Sequence, residues 1–240
     1  MKETLIIFGC KSRIGQDFIN KMHNDFNIYA ITSSKKRQIF ENNVRKKINL
    51  IKINNYKLSS VKKIFKILHT NNITKVSIMF LFRNNKNLLI DNPSSWLNEF
   101  ENNVVLPYFI LNKFLENKIY PKRIVFTSSI YSKYLPPKIL HKNIKKFPIN
   151  YAISKAALNN LSKYLSVTFK NKVLFFNLIL GGVKNPKNKN FQKKYSELTL
   201  IDSMVSKNDL NFLFQNIFKG KLDNLSGNDI EFNSGFNLIR

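Results

Sequence analysis

Apolar residues along this chain come in short unbroken runs, separated by stretches where they recur every three or four positions. Thr4 to Phe8 is a run of the first kind, ending at Gly9, and from Ile14 to Met22 the apolar positions take helical spacing. The pattern therefore predicts strand, tight turn and helix. Ile28 to Thr32 predicts a second strand and Leu50 to Ile53 a third, while Val61, Ile64, Phe65 and Leu68 fall on one face of a helix over Ser60 to Leu68. Val76 to Phe82 predicts a fourth strand, Trp96 to Leu115 a helix, and Arg123 to Thr127 a fifth strand before a loop holding Pro136, Pro137 and Pro148. Tyr151 to Phe169 predicts an amphipathic helix, Val173 to Leu180 a strongly apolar strand, Lys207 to Phe218 a helix, and Asp229 to Phe232 a last strand. Strands that are apolar throughout, alternating with helices, predict a parallel sheet covered on both faces, a doubly wound α/β fold. Two stretches without periodicity, about residues 133–150 and 184–206, follow strands, where an open α/β sheet builds its ligand crevice.

Composition narrows this picture. At 240 residues and 43% hydrophobic the chain suffices for one large core, and we read residues 1–240 as one domain. The single cysteine, Cys10, excludes an internal disulfide framework and a multi-cysteine metal site, so a cytoplasmic protein is expected. The apolar runs fall short of the roughly 20 residues that cross a bilayer, and from the strand-like first residues no signal peptide is expected. No membrane partner is expected. The net charge of +26 is large, yet only 6 of the 40 basic residues are arginine, and the lysines spread from Lys2 to Lys221 among 35 asparagines. That distribution reads as compositional drift rather than a phosphate-reading surface, and nucleic acid is not the expected partner.

Candidate chemistry begins at Gly9-Cys10-Lys11-Ser12-Arg13-Ile14-Gly15, where glycines flank a turn between the first strand and the first helix. Free N–H groups and the helix dipole favour a pyrophosphate there, and glycine lets the backbone approach it closely. At the end of the second strand, an acidic residue would accept from the ribose hydroxyls of NAD. Thr32-Ser33-Ser34-Lys35-Lys36-Arg37 has no carboxylate; its hydroxyls and cations, with Arg13 as a further cation, suit the 2′-phosphate of NADP(H).

Tyr151 and Lys155 stand four apart on one helical face. Tyr134 and Lys138 share the spacing, but Pro136 and Pro137 forbid a regular helix through them. A phenol with a pKa of about 10 is a poor proton shuttle at neutral pH until a neighbouring ammonium stabilises its phenolate. Lys155 is placed to do this, and to bind the nicotinamide ribose. Ser129, ending the fifth strand, is placed to donate to a substrate oxygen that gains negative charge.

In their order along nearly the whole chain, these elements resemble the short-chain dehydrogenase/reductase family. The resemblance implies a Rossmann-like fold and NADP(H)-dependent hydride transfer between nicotinamide and a carbonyl or hydroxyl substrate. Tyr151 would act as general acid, Ser129 would polarise the carbonyl, Lys155 would lower the tyrosine pKa, and Asn103 would complete a water-linked proton relay. Gly181-Gly182-Val183 resembles the loop that lies against the nicotinamide, and Leu225 to Phe236 the C-terminal strand and glycine turn. The resemblance also implies a homodimer or homotetramer packed through the helices that start near Trp96 and Tyr151.

The departures are specific. Arg13 replaces the middle glycine of the turn, the acidic residue after the third strand is Asn54, and Phe80-Leu81-Phe82-Arg83 replaces an Asn-Asn-Ala-Gly motif. The interval from Ser129 to Tyr151 is longer than usual in the family. The chain is most similar to divergent members associated with surface-polysaccharide or nonulosonate sugar biosynthesis, which implies a sugar or nucleotide-linked sugar substrate. Lysines 138, 142, 145 and 146 would suit an anionic one. A 3-oxoacyl-carrier-protein reductase is the competing enzyme, and a non-catalytic NADP- or nucleic-acid-binding protein the rival of another class.

Overall fold

The computed structural model describes residues 2–33, 39–54, 58–82, 92–140, 147–185, 189–236 and 238. Its strands are β1 (Thr4–Phe8), β2 (Asn27–Thr32), β3 (Asn49–Lys52), β4 (Lys75–Phe80), β5 (Tyr120–Ser129), β6 (Leu174–Leu180) and β7 (Asp229–Phe232). They form one sheet in the order β3-β2-β1-β4-β5-β6-β7, with every pairing parallel. The helices are α1 (Arg13–Met22), α2 (Asn42–Arg45), α3 (Leu58–Thr70), α4 (Pro93–Phe100), α5 (Leu106–Glu116), α6 (Ile149–Thr168), α7 (Lys189–Ser196) and α8 (Lys207–Phe218). This is the Rossmann-like doubly wound architecture that the alternation of runs predicts.

Parallel strands need both faces covered, and the sequence supplies a face to each side. On β1, Ile6 and Phe8 join the core under α3, α5 and α6, whereas Leu5 and Ile7 join the core under α1 and α8. Along the first face a phenylalanine from each of four neighbouring strands lines up. Phe8 stacks on Phe80 at 5.1 Å, Phe80 on Phe126 at 5.6 Å, and Phe126 on Phe175 at 6.2 Å between ring centroids. Such pairs contribute about 0.5–1.5 kcal/mol each beyond their buried area, so this row fixes the register of β1, β4, β5 and β6.

The helix expected over Trp96 to Leu115 is three pieces: α4, a π-helical turn over Glu101–Val105, and α5. Pro107, near the start of α5, has no N–H to continue an unbroken ladder. The wide turn directs Asn103 inward, to 1% exposure. β5 runs three residues further than predicted at its N-terminal end and two at its C-terminal end, and β4 stops at Phe80 instead of Phe82. α7 lies inside a stretch without visible periodicity, and α2 is a single turn.

Candidate active site

Because all seven strands are parallel, their C-terminal ends share one edge, and Gly9 to Gly15, Ser33, Asn54, Ser129 and Gly181 to Val183 end or directly follow strands there. The chain leaves β1 towards β2 and β3 on one side, then crosses to β4 and beyond on the other, so the crevice opens between β1 and β4.

At the end of β1, Gly9 has φ +75°, and a Cβ there would stand 2.6 Å from Leu81 O. Ser12 caps α1, its Oγ accepting from Gly15 N–H at 3.0 Å. A Cβ on Gly15 would meet Leu81 Cδ1 at 2.9 Å and Ser12 Oγ at 3.0 Å. Both glycines are thus required by close approach, and the first turn of α1 contains no acidic residue. Such a turn fits a dinucleotide pyrophosphate. Lys11 and Arg13 are exposed beside it, and Ile14 turns inward to the core. Burial pushes the Cys10 thiol up to about 12, so this lone cysteine is an inert apolar filler. Ser33 is half-buried after β2 and Asn54 exposed after β3, both on the same edge. Ser34, Lys35, Lys36 and Arg37, on which the expected preference for NADP(H) mostly rests, lie outside the described residues, as do Arg83 and lysines 142, 145 and 146.

On the other side of the crevice, β5 delivers two serines in succession, and consecutive strand residues face opposite ways. Ser128 faces the scaffold, donating to Asn159 Oδ1 at 2.5 Å. Ser129 caps a 3-10 turn over Ile130–Ser132, its Oγ accepting from Tyr131 N–H at 3.3 Å. α6 carries Tyr151 and, one turn on, Lys155, whose Nζ lies 5.8 Å from the Tyr151 ring centroid. Lys155 is 2% exposed and donates to Thr127 O at 2.8 Å and Phe82 O at 3.4 Å, which ties the ends of β4 and β5 to the helix. A buried ammonium held by carbonyl dipoles beside a phenol is an arrangement that stabilises phenolate.

A polar stripe buried along α6 fixes this pair. Asn150 Nδ2 donates to Ser95 Oγ on α4 at 2.8 Å, and its Oδ1 accepts from Tyr151 N–H at 2.9 Å. Asn103 Nδ2 donates to Ser154 Oγ at 2.9 Å and to Glu99 Oε2 at 2.7 Å. Glu99, at 0% exposure, is a carboxyl that sequence reasoning missed, as it did Asn150 and Ser154. For Asn150 and Ser154 the signal is a set of polar residues on the face of α6 where amphipathicity would place apolar ones; Glu99 is a lone carboxyl on α4. Asn159 continues the stripe, accepting from Asn177 Nδ2 at 3.0 Å, and Asn177 donates in turn to Asp229 Oδ1 at 2.7 Å.

Two further tyrosines were also missed. Tyr195, on α7, accepts from Gly182 N–H at 2.7 Å, and burial pushes its hydroxyl up to about 12. Tyr131 packs edge-on against Phe147 at 4.9 Å. Burial raises its pKa, and the charge that Tyr195 and Tyr151 would carry raises it further. Tyr131 is therefore a neutral hydroxyl near the Tyr151 phenol.

The loop Gly181-Gly182-Val183 is held from several directions. Gly181 N–H donates to Phe232 O, Val205 N–H to Gly182 O, and Lys184 N–H to Val205 O, making a parallel bridge between Val183 and Val205. A Cβ on Gly181 would stand 2.7 Å from Asn233 Cα. From across the crevice, Arg13 Nη2 donates to Val183 O at 3.0 Å. Among the described residues, no cluster of histidine, cysteine and carboxylate side chains fit to hold a metal ion is found. None of the described helices is long and apolar enough to cross a membrane.

No protein-family model matches the chain, and no curated protein matches it. Solved structures match over nearly its whole length. A 4-hydroxyisoleucine dehydrogenase complexed with NADH superposes with a TM-score of 0.80, covering 100% of both chains at 16% identity. A short-chain dehydrogenase from Leptospira borgpetersenii with bound NAD+ gives 0.81 at 15% identity, covering 99% of this chain and 94% of that one. An ElxO variant with NADPH bound gives 0.80 at 16% identity over 100% of both chains. The chain has the fold of the short-chain dehydrogenases/reductases.

Proposed function

We propose that this protein is a nicotinamide-dependent oxidoreductase of the short-chain type that prefers NADP(H). The observation that carries the reading is the gathering of Ser129, Tyr151 and Lys155 on the strand edge that also holds the glycine turn. Gly9, Lys11, Ser12, Arg13, Ile14 and Gly15 would hold the pyrophosphate, Ser33 and its successors the adenosine ribose, and Gly181, Gly182 and Val183 the nicotinamide end. The cofactor, when bound, supplies or accepts a hydride.

Tyr151 donates the proton to the substrate oxygen in reduction and takes it back in oxidation. Lys155 favours the phenolate that remains, and its ammonium is fixed by Thr127 O and Phe82 O. Ser129 stabilises the oxygen as it gains charge. Asn103, buried between α4 and α6, belongs to the path by which the proton is replaced. Removing the proton donor typically costs 10²–10⁴-fold, in line with general acid catalysis.

The substrate belongs to the same proposal. A keto-sugar or nucleotide-linked sugar of surface-polysaccharide synthesis is our first choice, and a 3-oxoacyl thioester the second. A homodimer or homotetramer in the cytoplasm completes the reading; its support is the exposure of Leu97, Val105, Tyr108 and Phe109 together with Ile149 and Ile153. The test is oxidation of NADPH followed at the nicotinamide absorbance with a panel of those carbonyl compounds, comparing wild type with Tyr151→Phe. Turnover that Tyr151→Phe abolishes is the expected result. No turnover together with no NADPH binding by the wild type would leave the non-catalytic reading.

A further inference from the structure

Asp229 is the first residue of β7, at the outer edge of the sheet and two strands from Ser129. Its side chain is 8% exposed, and Oδ2 meets Lys163 Nζ at 3.0 Å and Lys133 Nζ at 3.4 Å. Burial works against the charge of this carboxyl, yet hydrogen bonds from Asn177 and Lys163 and the two ammonium charges hold it below its ordinary range. It is ionised at neutral pH and can only accept hydrogen bonds.

From its Oδ1 a line of hydrogen bonds runs back to Ser129. Asn177 Nδ2 donates to Asp229 Oδ1 at 2.7 Å and to Asn159 Oδ1 at 3.0 Å. Asn159 Nδ2 donates to Ser132 Oγ at 2.8 Å, and Ser132 Oγ donates to Ser129 O at 2.6 Å. Amides and hydroxyls can run in either direction, but a carboxylate cannot. With Asn177 Nδ2 drawn to Asp229, both of its hydrogens are committed, so Asn159 must turn its oxygen to Asn177 and its nitrogen to Ser132. The Ser132 hydroxyl, accepting from Asn159, is left to donate to Ser129 O. This direction has a visible cost, since Asn177 Oδ1 is buried and meets no hydrogen-bond partner among the described residues. Ser132 ends the 3-10 turn that Ser129 caps, and within that turn Tyr131 N–H reaches Ser129 Oγ at 3.3 Å. Holding the turn therefore fixes where the Ser129 hydroxyl points.

We propose that Asp229 is a positioning residue for Ser129: it sets the direction of the hydrogen bonds through Asn177, Asn159 and Ser132, and so holds the turn that aims the serine hydroxyl. This rests on the role given to Ser129 above, and it extends the site to a carboxylate on β7 that acts only through other residues.

The experiment compares Asp229→Leu, which offers Asn177 no acceptor, with Asp229→Asn, which keeps one oxygen but gives up the charge facing Lys133 and Lys163. Each is made alone and together with Ser132→Ala, and urea unfolding is measured for all of them; Asp229→Ala makes the same cut where leucine prevents folding. Asp229 and Ser132 share no hydrogen bond, so independent effects on the unfolding equilibrium constant would multiply. The expected result is that Asp229→Leu with Ser132→Ala falls short of that product by about threefold or more, whereas Asp229→Asn loses far less than Asp229→Leu. In turnover, Asp229→Leu should lower kcat about tenfold with KM little changed, Asp229→Asn should restore most of it, and Asp229→Leu should add nothing in a Ser129→Ala background. Equal losses in Asp229→Leu and Asp229→Asn would assign the effect to the ion pairs with the lysines and overturn the proposal. So would losses that multiply with Ser132→Ala, or an undiminished effect on kcat in the Ser129→Ala background. A wild type without turnover would instead refute the function read for the site, while the unfolding comparison still decides whether Asp229 and Ser132 are linked.

Discussion

Asn103 commits its side-chain amide nitrogen to Glu99 Oε2 and Ser154 Oγ, so its orientation depends on a carboxyl with 0% exposure. A glutamine at position 99 still offers an acceptor, whereas a leucine offers none. Under the role proposed for Asn103 in replacing the proton, Glu99→Gln should therefore keep most of kcat, and Glu99→Leu should lower it on the order of tenfold with little change in KM. Steady-state kinetics of the two variants checks this. Gly9 makes a different demand, since φ +75° and a backbone oxygen 2.6 Å from any Cβ leave no room for accommodation by a flexible neighbour. Gly9→Ala should cost about 1–3 kcal/mol of stability, read as a lower urea midpoint at unchanged slope.

At the scale of elements, Arg123 joins the start of β5 to the 3-10 turn at Asp223–Leu225. Its guanidinium is 4% exposed, pairs with both oxygens of Asp223 at 2.7 Å, and has Glu3 at 3.5 Å. The hydrogen bonds from Arg123 hold the Asp223 carboxyl below its ordinary range. A depressed carboxyl contributes stability that is present above its unfolded pKa and is lost as pH falls through its folded pKa. Asp223→Asn should thus destabilise the protein at pH 7 and approach wild type at strongly acidic pH. With Asp223 39% exposed and Glu3 remaining, the cost at pH 7 is about 1–2 kcal/mol, below that of breaking a fully buried pair. Urea titrations across that pH range measure it. The strands and long helices were legible because continuous apolar runs and a 3.6-residue period survive in the residues themselves. The π turn was not, because its widening is decided by what Asn103 finds on α6. Nor was α7, whose polar residues hide the single buried anchor, Tyr195. Ser129, Tyr151, Lys155 and Asn103 were named in advance, but their supports, Glu99, Ser154 and Asn150, are ordinary polar residues until two helices meet. The direction taken by Arg13 depends on a residue 170 positions away.

Across the whole molecule, several exposed apolar side chains, Leu97, Tyr108, Phe109, Ile149 and Ile153, fall on α4, α5 and α6. If that surface joins two copies, Val105→Glu combined with Phe109→Glu should give a monomer by sedimentation velocity where the wild type sediments as a dimer or larger. A monomeric wild type at tens of micromolar would refute the interface. The net charge of +26 predicts a second whole-molecule behaviour, weak binding to DNA that falls steeply with salt and shows no sequence preference. Fluorescence anisotropy with two unrelated duplexes tests this. The bridge between Val183 and Val205 has a further consequence. It brings the chain back beside its own departure point, so residues 184–204 form an excursion that begins and ends at one place on the sheet edge. Such a segment can be replaced as a unit where its packing is replaced with it, since Tyr195 and Met204 join Ile130, Ile179 and Phe236 in a buried cluster. A different sequence of another length could be spliced between the two valines while the seven strands stay in register. Two conditions travel with every replacement: it must bring its own acceptor for the Gly182 N–H that Tyr195 now satisfies, and an apolar filling for the place of Tyr195 and Met204 against Phe236.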